Sequence, residues 1–168
     1  MQTEFTGRIW KFDDDIDTDI IIPTQHLNLS TMEEMSSHLF EPLRPTLAAQ
    51  LQKGDIIVAG DNFGCGSSRE QAAELLAYKG IKCIIAKSFA RIFFRNAINN
   101  GVLLIENNQL ADVVKEGETI TVKINKCVSY EGINYPIPRI AANIFEIIED
   151  GGLVKHTQKI NGVEGRKA

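Results

Sequence analysis

One stretch limits what this chain can become: Gly60-Asp61-Asn62-Phe63-Gly64-Cys65-Gly66-Ser67-Ser68-Arg69-Glu70-Gln71-Ala72-Ala73. Three glycines fall between Gly60 and Gly66, so the backbone there can adopt positive φ and pass close to a ligand. Ahead of the turn, Asp55-Ile56-Ile57-Val58-Ala59 reads as a short buried strand, and behind it Gln71 to Tyr78 reads as a helix. Ser67 and Glu70 have the S-x-x-E spacing of a capping box. A loop that feeds a helix N-terminus presents unpaired N–H groups and a positive dipole end, which suits an anion. Arg69 adds a fork of donors that matches a carboxylate or a phosphate. The same spacing also suits a Ser67 that merely caps the helix and an Arg69 that lies in solvent.

The rest of the composition excludes several classes. The 168 residues suffice for one domain with a proper core. Hydrophobic residues make up 43% and charged residues 24%, as in an ordinary soluble globular protein. A net charge of −4 argues against a general nucleic-acid or membrane-surface role. No stretch approaches the ~20 apolar residues of a membrane span, and Met1-Gln2-Thr3-Glu4-Phe5 lacks the apolar run of a secretory signal. The chain therefore reads as cytoplasmic. Cys65, Cys83 and Cys127 are odd in number and far apart, which fits reduced thiols. With no C-x-x-C pair, this chain alone is not expected to hold an iron–sulfur cluster or another metal. Cys65 reads as a small residue fitting the turn, since no histidine neighbours it to activate the thiol.

Taken in order, Glu4 to Phe12 reads as a first strand. Asp13 to Asp19 is an acidic run that lacks the glycine and terminal glutamate of an EF-hand loop. Ser30-Thr31-Met32-Glu33 predicts a capped helix to about Phe40, interrupted by Pro42 and Pro45. Thr46 to Gln52 suits a further helical turn. Lys82 to Ala86 predicts a buried strand, and Ser88 is expected to cap a helix running to Asn99. Val102 to Ile105 is the next strand, with Asn107 or Asn108 capping a short helix from Gln109 to Lys115. Strand–helix alternation with short links predicts a parallel sheet with right-handed crossovers. Glu118 to Asn125 reads as a strand, Glu131-Gly132 as a hairpin turn, and Arg139 to Glu149 as a final helix stopped by Gly151-Gly152. A single domain over residues 1–158 and a polar tail over 159–168 complete the expectation.

Three motifs in this order carry a family resemblance. Asn62 to Glu70 resembles the signature of the small subunits of 3-isopropylmalate dehydratase (isopropylmalate isomerase), separate-chain counterparts of the swivelling domain of aconitase. Asp17-Thr18-Asp19-Ile20-Ile21-Ile22-Pro23 resembles the family's T-D-x-I-I-P motif, and Ser88 to Asn96 with Asn100-Gly101 resembles its second helix motif. The resemblance runs from about Gly7 to Gly152. It implies an α/β fold, a three-layer swivelling β/β/α domain of the aconitase C-terminal type with a mainly parallel central sheet. It implies a reversible dehydration and rehydration in which Ser67 takes the carbon-bound proton. Ser68 and Arg69 would hold a substrate carboxylate, and Thr18 and Asp19 would complete the polar wall. It also implies a heterodimer or heterotetramer with a large subunit that carries a [4Fe-4S] cluster. Two other classes fit the spacing poorly: neither a P-loop nor G-x-G-x-x-G is present, and the turn is not the G-x-S-x-G of a serine hydrolase.

Substrate choice in the resembled family depends on the loop after Pro23. Members that take an extra carboxylate place an arginine there, in a Y-L-R-T-like pattern, and isopropylmalate enzymes an apolar residue, as in Y-L-V-Y. The matching positions here are His26-Leu27-Asn28-Leu29. With Asn28 in the arginine's place, an alkylmalate is expected, isopropylmalate first. Citraconate, dimethylmalate and homoaconitate enzymes, and an anion-binding module without catalysis, stay open at this point.

Overall fold

The computed structural model describes residues 3–162. Seven strands form one mixed sheet in the order β4-β3-β2-β1-β5-β6-β7. Strands β1 (Glu4–Lys11), β2 (Ile56–Ala59), β3 (Cys83–Ala86) and β4 (Leu103–Glu106) run parallel. Strands β5 (Thr119–Lys123), β6 (Cys127–Tyr130) and β7 (Ile133–Pro136) extend the other side of β1 in antiparallel fashion. The expected parallel sheet is thus its β1–β4 half, where helices connect successive strands. The antiparallel half follows from short links: Glu131 (φ 49°) and Gly132 (φ 77°) make a two-residue turn of the kind that joins paired strands directly.

Period-2 alternation sorts the parallel strands onto two cores. Ile57, Ala59, Ile84, Ala86 and Leu104 face one cluster, packed by α4 (Glu70–Tyr78) and α5 (Arg91–Asn99) through Ala72, Ala73, Leu75, Leu76, Phe93 and Ala97. The turns α1 (Thr18–Ile21) and α3 (Leu47–Gln50) add Ile21 and Leu47 to it. Ile56, Val58, Cys83, Ile85, Leu103 and Ile105 face the other cluster. There they meet Ile120, Val122, Val128 and Tyr130 of the antiparallel half, with Leu110 and Ala111 of α6 (Leu110–Val113). The result is β/β/α layering, and β1 is the strand that both halves share. Its Glu4–Arg8 portion pairs with β5 and its Ile9–Lys11 portion with β2.

Several local expectations shift. The helix α2 is short, Met32–Ser36, and its box lies one residue later, Thr31-Met32-Glu33-Glu34: Glu34 N–H donates to Thr31 Oγ1, and Ser30 N–H to Glu34 Oε2. Asn107 is the residue that caps α6, its side chain accepting from the Gln109 and Leu110 N–H groups. The last predicted helix starts later, as α7 (Ala142–Glu149). Gly151-Gly152 turns the chain rather than ending its order, and α8 (Leu153–Ile160) follows, held by His156 and Lys159 on Asp150. Of the expected polar tail, residues 163–168 lie outside the described residues. Among the described residues no helix is long and apolar enough to cross a membrane.

Gly7 sits where β1 passes from one half to the other. A Cβ there would lie 2.3 Å from the Gly54 carbonyl oxygen and 2.7 Å from Ile56. Backbone cannot yield as a side-chain tip does, so Gly7→Ala is expected to destabilise the fold by about 1–3 kcal/mol. Urea unfolding, read as a lower midpoint with unchanged m, checks this.

Candidate functional site

Two loops make the site, and they are zipped together residue by residue. The acidic run 13–18 lies along the glycine-rich turn. Gly60 N–H donates to Asp13 O, Asp15 N–H to Asp61 O at 2.9 Å, Gly64 N–H to Ile16 O at 2.7 Å, and Thr18 N–H to Cys65 O at 2.9 Å. The side chains join in. Asp14 accepts from the Asp61 N–H at 2.7 Å, and Asp15 from the Asn62 amide at 3.1 Å. Asp17 caps α1 by accepting from the Ile20 N–H. The acids that sequence spacing left unexplained thus hold the turn in place. On its other side the turn pairs with the loop after β3, through a Phe63–Phe89 bridge and the Ser88 hydroxyl, which accepts from the Asn62 N–H and donates to Asp61.

That bonding corrects two expected caps. Ser88 is spent on the turn, so α5 starts at Arg91 with Ala90 as an uncapped N-cap. Ser67 does not cap α4 either, because that helix begins at Glu70 with Arg69 as N-cap. Ser67 instead meets Thr18, whose Oγ1 donates to Ser67 O at 3.0 Å and lies 3.1 Å from Ser67 Oγ. Positive φ at Gly64 (82°) and Gly66 (91°) turns the chain to reach it. A Cβ on Gly64 would fall 2.1 Å from Phe93.

A cleft of about 310 Å³ opens here, lined by Thr18, Ser67, Ser68, Arg69, Arg91 and Asn96 among others. The N-termini of α4 and α5 both border it, so two positive dipole ends converge with two guanidinium groups. Arg69 is held half-buried, 2.5 Å from Asp19 and donating to Ile22 O at 3.3 Å. The set that the family resemblance implied, Thr18, Asp19, Ser67, Ser68 and Arg69, is therefore gathered in one place. The loop set is not: His26, Leu27, Asn28 and Leu29 do not line the cleft. Leu27 packs on the core, Asn28 is exposed, and His26 turns to Glu41. Arg91 and Asn96 were not singled out from the sequence. The available signal was topological, since β2 and β3 are adjacent and parallel and the loops after them must end side by side.

The chain belongs to the family of 3-isopropylmalate dehydratase small subunits. It is 57% identical to a curated 3-isopropylmalate dehydratase small subunit of Lachnospira eligens, over 98% of this chain and all of that protein. It is 44% identical to a methanogen homoaconitase small subunit of Methanothermobacter thermautotrophicus, over 98% of this chain and all of that protein. A crystal structure of 3-isopropylmalate dehydratase from Methanocaldococcus jannaschii superposes with a TM-score of 0.88 at 39% identity, covering 98% of this chain and 99% of that one. The model of the aconitase C-terminal domain matches residues 46–110, which hold β2, β3, β4 and the glycine-rich turn.

The family is aconitase-like, and an iron–sulfur cluster needs thiolate donors that converge. In this dehydratase small subunit Cys83 is buried in β3, Cys65 lies in the turn and Cys127 begins β6. Those thiols belong to separate elements and do not fit a cluster. Burial pushes the Cys65 thiol up from its ordinary range, and the negative charges of Asp17 and Asp15 push it further. A raised pKa keeps the thiol protonated at neutral pH, so Cys65 is no nucleophile there. Residue-resolved mass spectrometry of iodoacetamide labelling checks this: at pH 7.5 Cys65 should alkylate more slowly than free cysteine, with its rate rising only above the ordinary thiol pKa of about 8.5.

Proposed function

We propose that this chain is the small subunit of a hydro-lyase that interconverts 2-isopropylmalate and 3-isopropylmalate, a step of leucine biosynthesis. The observation that carries the mechanism is the Ser67 hydroxyl, set against Thr18 in a cleft where two helix N-termini and two arginines converge. The substrate is an anion with two carboxylates, and this cleft offers donors and positive potential without a competing carboxylate other than Asp19, which is engaged by Arg69.

The chemistry assigns each group a task. Arg69, whose guanidinium is already oriented by Asp19 and Ile22 O, takes a substrate carboxylate with its fork, and the Ser68 hydroxyl adds a donor. Ser67, as its alkoxide, removes the proton from the carbon next to the one bearing the hydroxyl. The C–H electron pair becomes the alkene bond and the hydroxyl departs. Rehydration runs the same steps backward with the hydroxyl on the neighbouring carbon. A negative Ser67 oxygen is favoured by the positive helix ends and by Thr18, whose hydroxyl can turn to donate to it. An iron–sulfur cluster on a large subunit would supply the Lewis acid for the departing hydroxyl. The cleft is open and Ser67 and Ser68 are exposed, so the missing wall belongs to that partner, in a heterodimer or heterotetramer within the cytoplasm.

Substrate choice is assigned to His26-Leu27-Asn28-Leu29, brought over the cleft in the complex. Asn28 cannot neutralise a third carboxylate, and burying one unpaired would cost several kcal/mol. Leu29 shelters an alkyl group, worth about 0.8 kcal/mol per CH₂.

Purified alone, the chain should be inactive, and the complex with its large subunit active. Dehydratase activity of the isolated chain would refute the split site. In the complex, Ser67→Ala should lower kcat at least ~100-fold with folding unchanged, and Arg69→Lys should mainly raise KM. Wild-type turnover by Ser67→Ala contradicts the base assignment. Assayed on isopropylmalate, citraconate and homoaconitate, the wild-type complex should prefer isopropylmalate, and Asn28→Arg should shift activity towards homoaconitate.

A further inference from the structure

Among the described residues, one cluster of metal-ligating side chains lies outside the Ser67 cleft, and of its members only His26 has a role above, in the loop proposed to set substrate choice. His26 comes from the single 3-10 turn Thr24–His26 after Pro23, and His38 and Glu41 from the turn that follows α2. The two imidazole rings are stacked, 3.6 Å between centroids and 7° between planes. Both point a nitrogen at the same atom: His26 Nε2 is 2.7 Å and His38 Nδ1 2.8 Å from Glu41 Oε2. One donor atom from each residue lies within 4.8 Å of the others.

We propose that His26, His38 and Glu41 form a binding site for a divalent transition-metal ion of the zinc class. As the rings stand, both nitrogens lie at hydrogen-bond distance from Glu41 Oε2, where a ring N–H donates to the carboxylate. With the ring proton on its other nitrogen, each imidazole presents a lone pair at that same place, so a metal would replace the two hydrogen bonds. Two imidazoles and one carboxylate are the donor set of a zinc site with an open fourth position. Bonds of about 2.0–2.1 Å hold such donors roughly 3.3 Å apart. In the cluster Glu41 Oε2 occupies the point where the two nitrogens converge, and rotation of this half-exposed side chain frees that point for a metal. The side chains are 19%, 31% and 40% exposed, which leaves a solvent side for a water ligand. The other histidine–carboxylate pair, His156 with Asp150, differs in kind: Lys159 Nζ sits 2.8 Å from that carboxylate, and an ammonium there repels a metal.

Bound metal would fasten the His26–Leu29 segment to the turn after α2. Its consequence for substrate choice rests on the proposed function; the site itself does not.

The test uses the untagged full-length chain, titrated with Zn²⁺ against a chromogenic chelator. One ion per chain should bind with a Kd tighter than about 10 μM, and His38→Ala and Glu41→Gln should each weaken it at least about tenfold. Circular dichroism verifies that the variants fold, and His26→Gln replaces whichever does not. X-ray absorption of the loaded chain should show two imidazoles and oxygen donors, with no sulfur. Weaker binding by the wild-type chain, binding that a folded variant keeps within tenfold, or a sulfur ligand overturns the proposal.

Discussion

The site depends on one backbone zipper, the run of hydrogen bonds between residues 13–18 and 60–65. Neither loop has regular structure of its own, and a glycine-rich turn costs much conformational entropy to order. The zipper offsets that cost with main-chain partners on one side, while the Phe63–Phe89 bridge and Ser88 offset it on the other. Phe63, fully buried and edge-on to Phe93 and Phe89, anchors the middle. Thr18 and Ser67 meet because their loops are fixed from both flanks, before any substrate is present.

Electrostatics then follow from topology. Parallel strands β2 and β3 bring two loop-to-helix junctions side by side, so α4 and α5 aim the same end at one cleft. The acids of the first loop do not line the cleft: Asp14, Asp15 and Asp17 turn their oxygens to N–H groups and an amide of the loops, and the charges of Asp15 and Asp17 are felt at Cys65. Asp19 is bound to Arg69. The polar side chains that line the cleft carry hydroxyl, amide and guanidinium groups, beside apolar Ala90, Ile92 and Phe93.

Most strands were legible in the sequence, since buried strands are apolar runs, and the gathering of Ser67, Ser68, Arg69, Thr18 and Asp19 was implied by the resemblance of two short motifs to the family's. The S-x-x-E spacing of Ser67 and Glu70 misled, because Thr18 claims Ser67 from 49 positions away and no local pattern registers that. Ser88 was misread for the same reason. α8 was missed because its sequence, Leu153–Ile160, is mostly polar and follows two glycines. The pairing of His26 and His38 on Glu41 was invisible too, as one belongs to the Pro23 loop and the others to the turn beyond α2.

The shared strand β1 has a consequence for the order in which the chain can assemble. Glu4 pairs with Lys123, and Ile9 with Ile56. During synthesis β1 leaves the ribosome first and gains β2 once the chain has grown past Ala59. Its other edge stays open until Lys123 has emerged, and β5 is the only described strand that closes it. Loops of such length close slowly. For that interval the nascent chain carries an unpaired edge at Glu4–Arg8, and Glu4 and Arg8 there place charge on it against wrong partners.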